Sequence, residues 1–137
     1  ISATGSPKIQ KACMLFTSQT NSNQKKGDME PNKFNNRKAF IFSDEIDYSD
    51  GGIVSKRVLE KSTGNVSLFA FDKGQKLSEH TAPFDAMIQI TEGEAEIVIG
   101  GEPNLMVAGQ VIIMPANIPH AVNSITRFKM VLTMIKA

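Results

Sequence analysis

Two segments of the chain decide its fold: they read GQKLSEHTAPFDAMIQITEG at residues 74–93 and GQVIIMPANIPHAVNS at residues 109–124. From Phe40 onward, glycine or proline recurs at near-regular intervals, and apolar residues fill the stretches between. Turn signals spaced by about 8–12 residues are typical of a barrel or sandwich of short strands. The sequence therefore predicts one all-β domain.

Five stretches between these turn signals are rich in β-branched and aromatic residues and are predicted to be strands. They are residues 66–71, 86–91, 94–99, 110–114 and 128–135. Within residues 94–99, acidic and apolar side chains alternate, which indicates one buried and one solvated face.

Two shorter elements are also predicted. Gly100-Gly101 suits a two-residue hairpin turn, because both central residues of a type I′ turn need positive φ. Residues 43–48 are the one helix candidate, with Ser43 as the N-terminal cap and Ile46 on the buried side.

The markers inside the two segments follow a recognisable order. They are Gly74, His80, Ala82, Ala86 and Gly93 in the first segment, and Gly109, Pro115, Asn117, His120 and Ser124 in the second. Their spacing resembles the paired signature of the cupin superfamily, G(x)5HxH(x)3-4E(x)6G followed by G(x)5PxG(x)2H(x)3N. The resemblance covers about half of the chain and implies a double-stranded β-helix, the jelly-roll barrel of RmlC-like, type-2 cupins.

The chain departs from this signature at the positions that matter for chemistry. By the resemblance, the inward ligand positions are His80, Ala82, Ala86 and His120. The usual ligand set is three histidines and a carboxylate. Alanine cannot coordinate a metal, so two of these four ligands are missing. Asn117 replaces the glycine of the second motif, and asparagine is one of the few residues that accept positive φ.

The leading hypothesis is a small-molecule-binding cupin with a reduced two-histidine site. Replacing two ligands by alanine enlarges the cavity and removes charge, which suits a neutral or weakly anionic organic ligand. The predicted pocket residues are His80, His120, Ala82, Phe84, Ala86, Ile88, Met114 and Val122. Whether the chain is an enzyme stays open, and no catalytic residue is assigned.

The first alternative is a metal-dependent cupin enzyme of the dioxygenase or isomerase kind. His80 and His120 would then bind one divalent transition metal, which could be zinc, iron, nickel, copper or manganese, together with waters or a chelating substrate. Stable sites for such ions normally have roughly three or more protein ligands, so binding is expected to be weak. Period-2 alternation places Glu79, Asp85 and Gln89 outward, away from the missing ligand positions.

The second alternative is a non-enzymatic regulatory module that dimerises through its barrel. Sheet edges left open in a monomer are a liability, and a symmetric dimer covers them. Phe40, Phe42 and Ile46, which precede the barrel, are predicted to pair across a homodimer interface.

Composition limits the binding partners and the cellular location that we expect. Hydrophobic residues make up 41% and charged residues 21% of the chain, as in soluble globular proteins. No apolar stretch approaches the ~20 residues that span a bilayer, so no membrane association is expected. Cys13 is the only cysteine, which favours a reducing, cytoplasmic location. No basic face interleaved with aromatics is evident in the barrel, so nucleic acid is not an expected partner.

Charge and composition divide the chain in two. Residues 1–28 are rich in Ser, Thr, Asn, Gln and Lys without a sustained hydrophobic period, which is typical of an extended arm or leader. Residues 1–40 carry seven Lys or Arg against two acids, net +5, whereas residues 41–137 carry eight against twelve, net −4. The predicted organisation is an arm at 1–28 and a barrel domain at 29–137.

Overall fold

The computed structural model describes residue 34 and residues 37–136, so the predicted arm at 1–28 lies outside the described residues. A short 3-10 helix, Phe42–Asp44, precedes nine strands. The strands are β1 (Ile53–Lys61), β2 (Gly64–Phe71), β3 (Lys76–His80), β4 (Asp85–Glu92), β5 (Glu94–Ile99), β6 (Glu102–Val107), β7 (Val111–Met114), β8 (His120–Ser124) and β9 (Phe128–Ile135).

The strands form two antiparallel sheets that face each other. One has five strands in the order β1-β2-β9-β4-β7, and the other has four in the order β3-β8-β5-β6. This is the double-sheet jelly-roll architecture, and the prediction of an all-β barrel is confirmed. All five predicted strands are present, as β2, β4, β5, β7 and β9, and β5 and β9 have the predicted bounds.

Four strands had no clear signal in the sequence. In β1 a bulge between Arg57 and Leu59 shifts the register and breaks the alternation of buried and exposed residues. The other three strands, β3, β6 and β8, are short and carry many polar residues, as KLSEH, EPNLMV and HAVNS. Their place in the four-stranded sheet depends on pairing with distant strands, which local propensity does not record.

The hydrophobic core lies between the two sheets. Phe69, Phe71 and Phe128 are among its largest fully buried side chains. The rings of Phe71 and Phe128 stack with centroids 4.6 Å apart. Since burying a phenylalanine contributes about 1.5–3 kcal/mol, these rings anchor the end of the barrel at which β2 ends and β9 begins.

A second apolar cluster covers part of the outer face of the five-stranded sheet. Its buried members are Phe34, Ile46, Val58, Leu68, Ala70 and Val131. Tyr48 packs against the same cluster, and its hydroxyl donates to Glu92 Oε2 at 2.6 Å. The segment ahead of β1 is therefore fastened to β2, β4 and β9.

The helix predicted over residues 43–48 is wrong in its bounds and its cap. The 3-10 helix begins at Phe42, and Ile41, the residue before it, makes no side-chain capping bond. From Ile46 onward the chain is not helical; Ile46 is buried, Asp47 is exposed and Tyr48 is half-buried. Burial of Ile46 and Tyr48 against the sheet requires an extended path, and this outweighs the weak capping preference of Ser43.

The predicted hairpin turn is confirmed. Gly100 and Gly101 have φ of 58° and 85°, and Ile99 pairs with Glu102 across the turn. In the described part of the chain no helix has the length and apolar character needed to cross a membrane.

Candidate functional site

His80 and His120 lie side by side inside one end of the barrel. They are direct cross-strand partners in β3 and β8. Their ring centroids are 4.5 Å apart and the ring planes meet at 67°. Exposure is 8% for His80 and 7% for His120. The two histidines, forty positions apart in the sequence, thus form one buried pair.

An irregularity in β3 turns His80 toward the interior. Leu77 pairs with Val122, but the next register pair is His80 with His120, so β3 has one residue more than β8 over this interval. Such a bulge changes which side chains face inward. Leu77 and His80 are consequently both buried, while Glu79 between them is exposed.

The loops on either side of the pair are tied together. The amide of Asn117 donates to the carbonyl of Ala82 at 2.8 Å, and the amide of Ala116 donates to Asp85 Oδ1 at 2.9 Å. Asn117 has φ of 66°, which confirms that this residue takes over the positive-φ role of the motif glycine. These bonds fix the connection that leads into His120.

Backbone carbonyls determine which nitrogen of each imidazole is available. His80 Nδ1 is 2.8 Å from Ser78 O, and His120 Nδ1 is 3.2 Å from Ile118 O. A carbonyl oxygen can only accept, so these contacts place a hydrogen on Nδ1 of both rings and leave Nε2 as the acceptor of a neutral ring. His80 Nε2 is buried and has no hydrogen-bond partner among the described residues.

The environment keeps His120 in its neutral form. Burial lowers the pKa of His120, and the neighbouring His80 lowers it further, while the bond to Ile118 opposes the shift. At neutral pH the His120 ring is therefore uncharged and can accept a hydrogen bond through Nε2.

The other predicted pocket residues take two kinds of position. Ala82, Phe84 and Ala86 are half-buried in the loop after His80 and at the start of β4, and the Phe84 ring lies 5.6 Å from Lys136 Nζ. Ile88, Met114 and Val122 belong to the packed core between the sheets. The three polar residues expected to point outward, Glu79, Asp85 and Gln89, are all exposed.

Three polar residues on the opposite sheet were missed by the sequence analysis. Arg57, Asn65 and Ser67 are buried on β1 and β2. The run NVSLFAF at 65–71 offers apolar residues on both faces, so the inward face could not be chosen from the sequence. Polar residues at every second position, 65 and 67, were the available signal.

The side chains present do not fit a resident metal ion. No group of three or more His, Cys, Asp or Glu side chains among the described residues is placed to hold one. The two imidazoles fall short of the roughly three or four protein ligands of a stable site. The nearby carboxylate of Asp85 is exposed and already accepts the Ala116 amide.

Comparison with known proteins decides the family. A family model for the cupin domain matches residues 67–136, half of the chain. This chain is a cupin. A conserved protein of unknown function from Streptococcus pyogenes is 33% identical; the match covers 77% of this cupin and 93% of that protein, with a TM-score of 0.73.

Two further solved structures are similar to this cupin. A cupin 2 conserved barrel domain protein from Leptotrichia buccalis is 37% identical over 69% of this chain and 46% of that one, with a TM-score of 0.66. A cupin superfamily protein from Desulfitobacterium hafniense is 24% identical over 75% and 94%, with a TM-score of 0.71, and supports the fold alone. No curated protein matches the chain.

Proposed function

We propose that this cupin binds a small organic molecule through the Nε2 atoms of His80 and His120. The observation that carries the proposal is the orientation of the two rings: each Nδ1 faces a backbone carbonyl, which directs both Nε2 atoms away from it, and His80 Nε2 is buried without a partner among the described residues. A buried acceptor without a partner costs about 1–3 kcal/mol. A ligand that donates hydrogen bonds to these atoms would recover that cost.

The surroundings support an uncharged ligand at the histidine end. Burial disfavours the cationic form of His120, so this ring offers no positive charge to an anion. Ala82 and Ala86 contribute no polar group, because each side chain ends in a methyl group. A hydroxyl or amide donor on a compact molecule satisfies two imidazole acceptors without introducing net charge.

A ligand screen with histidine variants tests the proposal. We expect at least one compound from a library of small alcohols, amides and hydroxy acids to raise the melting temperature of the wild type. His80→Ala and His120→Ala should each remove that effect. Ser124→Ala, at the far end of β8, is the matched control and should keep it. If every stabilising compound acts equally on both histidine variants, the proposal is wrong.

A metal-dependent enzyme is the second candidate, and one observation favours it. Metal-binding histidines usually donate their other ring nitrogen to a carbonyl or carboxylate, as both rings do here. Elemental analysis after supplementation with Zn, Fe, Ni, Cu or Mn separates the candidates. We expect well under one equivalent of any of them, because two imidazoles hold such ions weakly. Stoichiometric metal that is lost in His80→Ala would favour the second candidate instead.

The homodimer expected from the sequence stays a prediction, and its expected interface residues have other contacts. Ile46 is buried in the outer cluster, Phe42 packs against that cluster, and the Phe40 ring lies 5.5 Å from that of Phe42. Light scattering on the full chain should give twice the mass of the chain. The mass of a single chain at high concentration would contradict the prediction.

A further inference from the structure

A polar group lies on the inner face of the five-stranded sheet, and we name it the polar wall: Arg57, Asn65 and Ser67. Direct register partners in a sheet point to the same side. Ser67 pairs with Leu132, which belongs to the core. Asn65 pairs with Met134, which packs against the core. Arg57 pairs with Ser67. The polar wall therefore faces the interior of the barrel.

The polar wall is at the same end of the barrel as the histidine pair. Residues 81–84 connect His80 to the start of β4, and residues 115–119 connect the end of β7 to His120. Ala86 pairs with Met114 on one side and with Met134 on the other, and Met134 is the partner of Asn65. Since facing sheets are about 10 Å apart, a molecule that contacts both the wall and the histidines must be compact.

The wall presents hydrogen-bond donors that the protein does not fully use. Asn65 is 5% exposed, and its Nδ2 has no partner among the described residues. Arg57 Nε donates to Ser67 Oγ at 2.7 Å. Arg57 Nη1 forms an ion pair with Glu60 Oε2 at 3.1 Å. Asn65 Nδ2 and His80 Nε2 are thus, within the described part of the chain, a buried donor and a buried acceptor without partners at the same end of the barrel.

The one charged member of the polar wall is paired with an acid. Arg57 is balanced by Glu60, whose side chain is only 28% exposed, and burial disfavours the cationic form of His120. An anionic ligand would bring an uncompensated charge into a buried space, which is costly. A neutral ligand avoids that cost.

We infer that the ligand is a small neutral molecule with a hydroxyl group and a carbonyl group on adjacent carbons, such as an α-hydroxyamide or α-hydroxyketone. Its hydroxyl donates to a histidine Nε2, and its carbonyl accepts from Asn65 Nδ2 and the Arg57 guanidinium. The inference rests on the proposed function, because it needs the histidine acceptors. It adds the second contact and the charge of the ligand.

Four probes on one carbon skeleton test the inference with the full-length wild type. Lactamide has both groups, 2-propanol lacks the carbonyl, propionamide lacks the hydroxyl, and lactate carries a charge. Side-chain ¹⁵N spectra report on both imidazoles, the Asn65 amide and Arg57 Nε–H. We expect lactamide to shift all three kinds of signal and to bind about tenfold more tightly than each of the other probes, the loss expected for one hydrogen bond to a buried group.

The outcomes separate this inference from the proposed function. If 2-propanol binds like lactamide and shifts only the imidazoles, or if lactate binds more tightly, the inference is overturned while the proposed function stands. If propionamide binds like lactamide and the imidazoles do not shift, both are overturned. Absence of any shift with lactamide also overturns the inference.

Variants provide a second readout. Asn65→Leu keeps the approximate shape of the side chain and removes the donor, so it should weaken lactamide binding about tenfold. Asn65→Ser is the alternative if the leucine variant does not fold. Asn123→Leu, the same exchange at an asparagine that bonds Glu96 on the outer face of the other sheet, should leave binding unchanged. Equal binding by the Asn65 and Asn123 variants would overturn the inference.

Discussion

The rings of His80 and His120 meet with centroids 4.5 Å apart because the extra residue in β3 brings the two histidines into direct cross-strand register. In each ring, Nδ1 bonds the backbone carbonyl oxygen of the residue two positions earlier. The pair is consequently oriented by backbone geometry rather than by other polar side chains.

The first prediction concerns pH and the stability of the fold. The pKa of His120 is lowered in the folded state, first by burial and then by His80, so the unfolded chain binds the proton more readily. Stability should be highest above the unfolded histidine pKa of about 6.5 and should fall as the pH drops below it. Urea unfolding at pH 7.5 and 5.5 measures this.

A variant isolates the contribution of His120. His120→Gln removes the titrating group and should flatten the stability difference between the two pH values. A difference that is unchanged in His120→Gln would assign the pH dependence to other groups.

The second prediction concerns the loop that presents His120. Asn117 adopts φ of 66°, and its amide bonds Ala82. Asn117→Ala should destabilise the protein by about 1–2 kcal/mol, because a left-handed conformation is costly for a residue with a simple Cβ. Asn117→Gly should be nearly neutral, since glycine accepts this conformation. Denaturant unfolding compares the two, and equal losses would argue against the conformational explanation.

The third prediction compares two glycines with similar φ and different surroundings. At Gly93 a Cβ would lie 2.0 Å from the Arg127 carbonyl oxygen, whereas at Gly101 it would meet nothing within 4 Å. Gly101→Ala should cost about 1–2 kcal/mol from φ alone. Gly93→Ala should cost about 3 kcal/mol or more, because backbone must also move. Melting curves that show similar losses would contradict the close approach of β9 to this turn.

The fourth prediction concerns a surface ion-pair group at the opposite end of the barrel from the histidines. Arg127 bonds both Asp50 and Asp72 at 2.8 Å. Arg127, with the amides of Gly51 and Lys73, lowers the pKa of Asp72 to about 2 from its ordinary 3.8. The stabilisation is present above pH 3.8 and should be lost as the pH falls through about 2.

Melting temperature as a function of pH and salt tests the fourth prediction. Asp72→Asn should reduce the change between pH 4 and pH 2, and added salt should weaken the effect because these groups are solvated. Asp47→Asn, which removes the same charge from an exposed position, is the control. Identical profiles for the two variants would show that Asp72 has no special role.

Much of the fold was predictable because its signals are local. The turn at Gly100-Gly101 and the alternation in β5 follow from backbone conformation and period-2 burial. The family motifs placed His80 and His120 together, and the structure confirms that proximity. The positive φ of Asn117 was likewise predictable from residue chemistry.

The polar wall could not be predicted, and the reason is physical. Asn65 and Ser67 alternate with Val66 and Leu68, and both faces of β2 are covered, one by the barrel core and the other by the segment that includes Ile46. A strand buried on both faces has no apolar periodicity to show which side is interior. Arg57 is further obscured by the bulge beside it.

The central claim is that His80 and His120 both present Nε2 lone pairs to the interior of the barrel. The chain has only two histidines, so a long-range ¹H–¹⁵N spectrum at neutral pH contains two imidazoles, assigned with His80→Gln and His120→Gln. We predict that both rings are protonated at Nδ1 and unprotonated at Nε2. Protonation of either ring at Nε2, or the averaged signals of a ring open to solvent, would contradict the account.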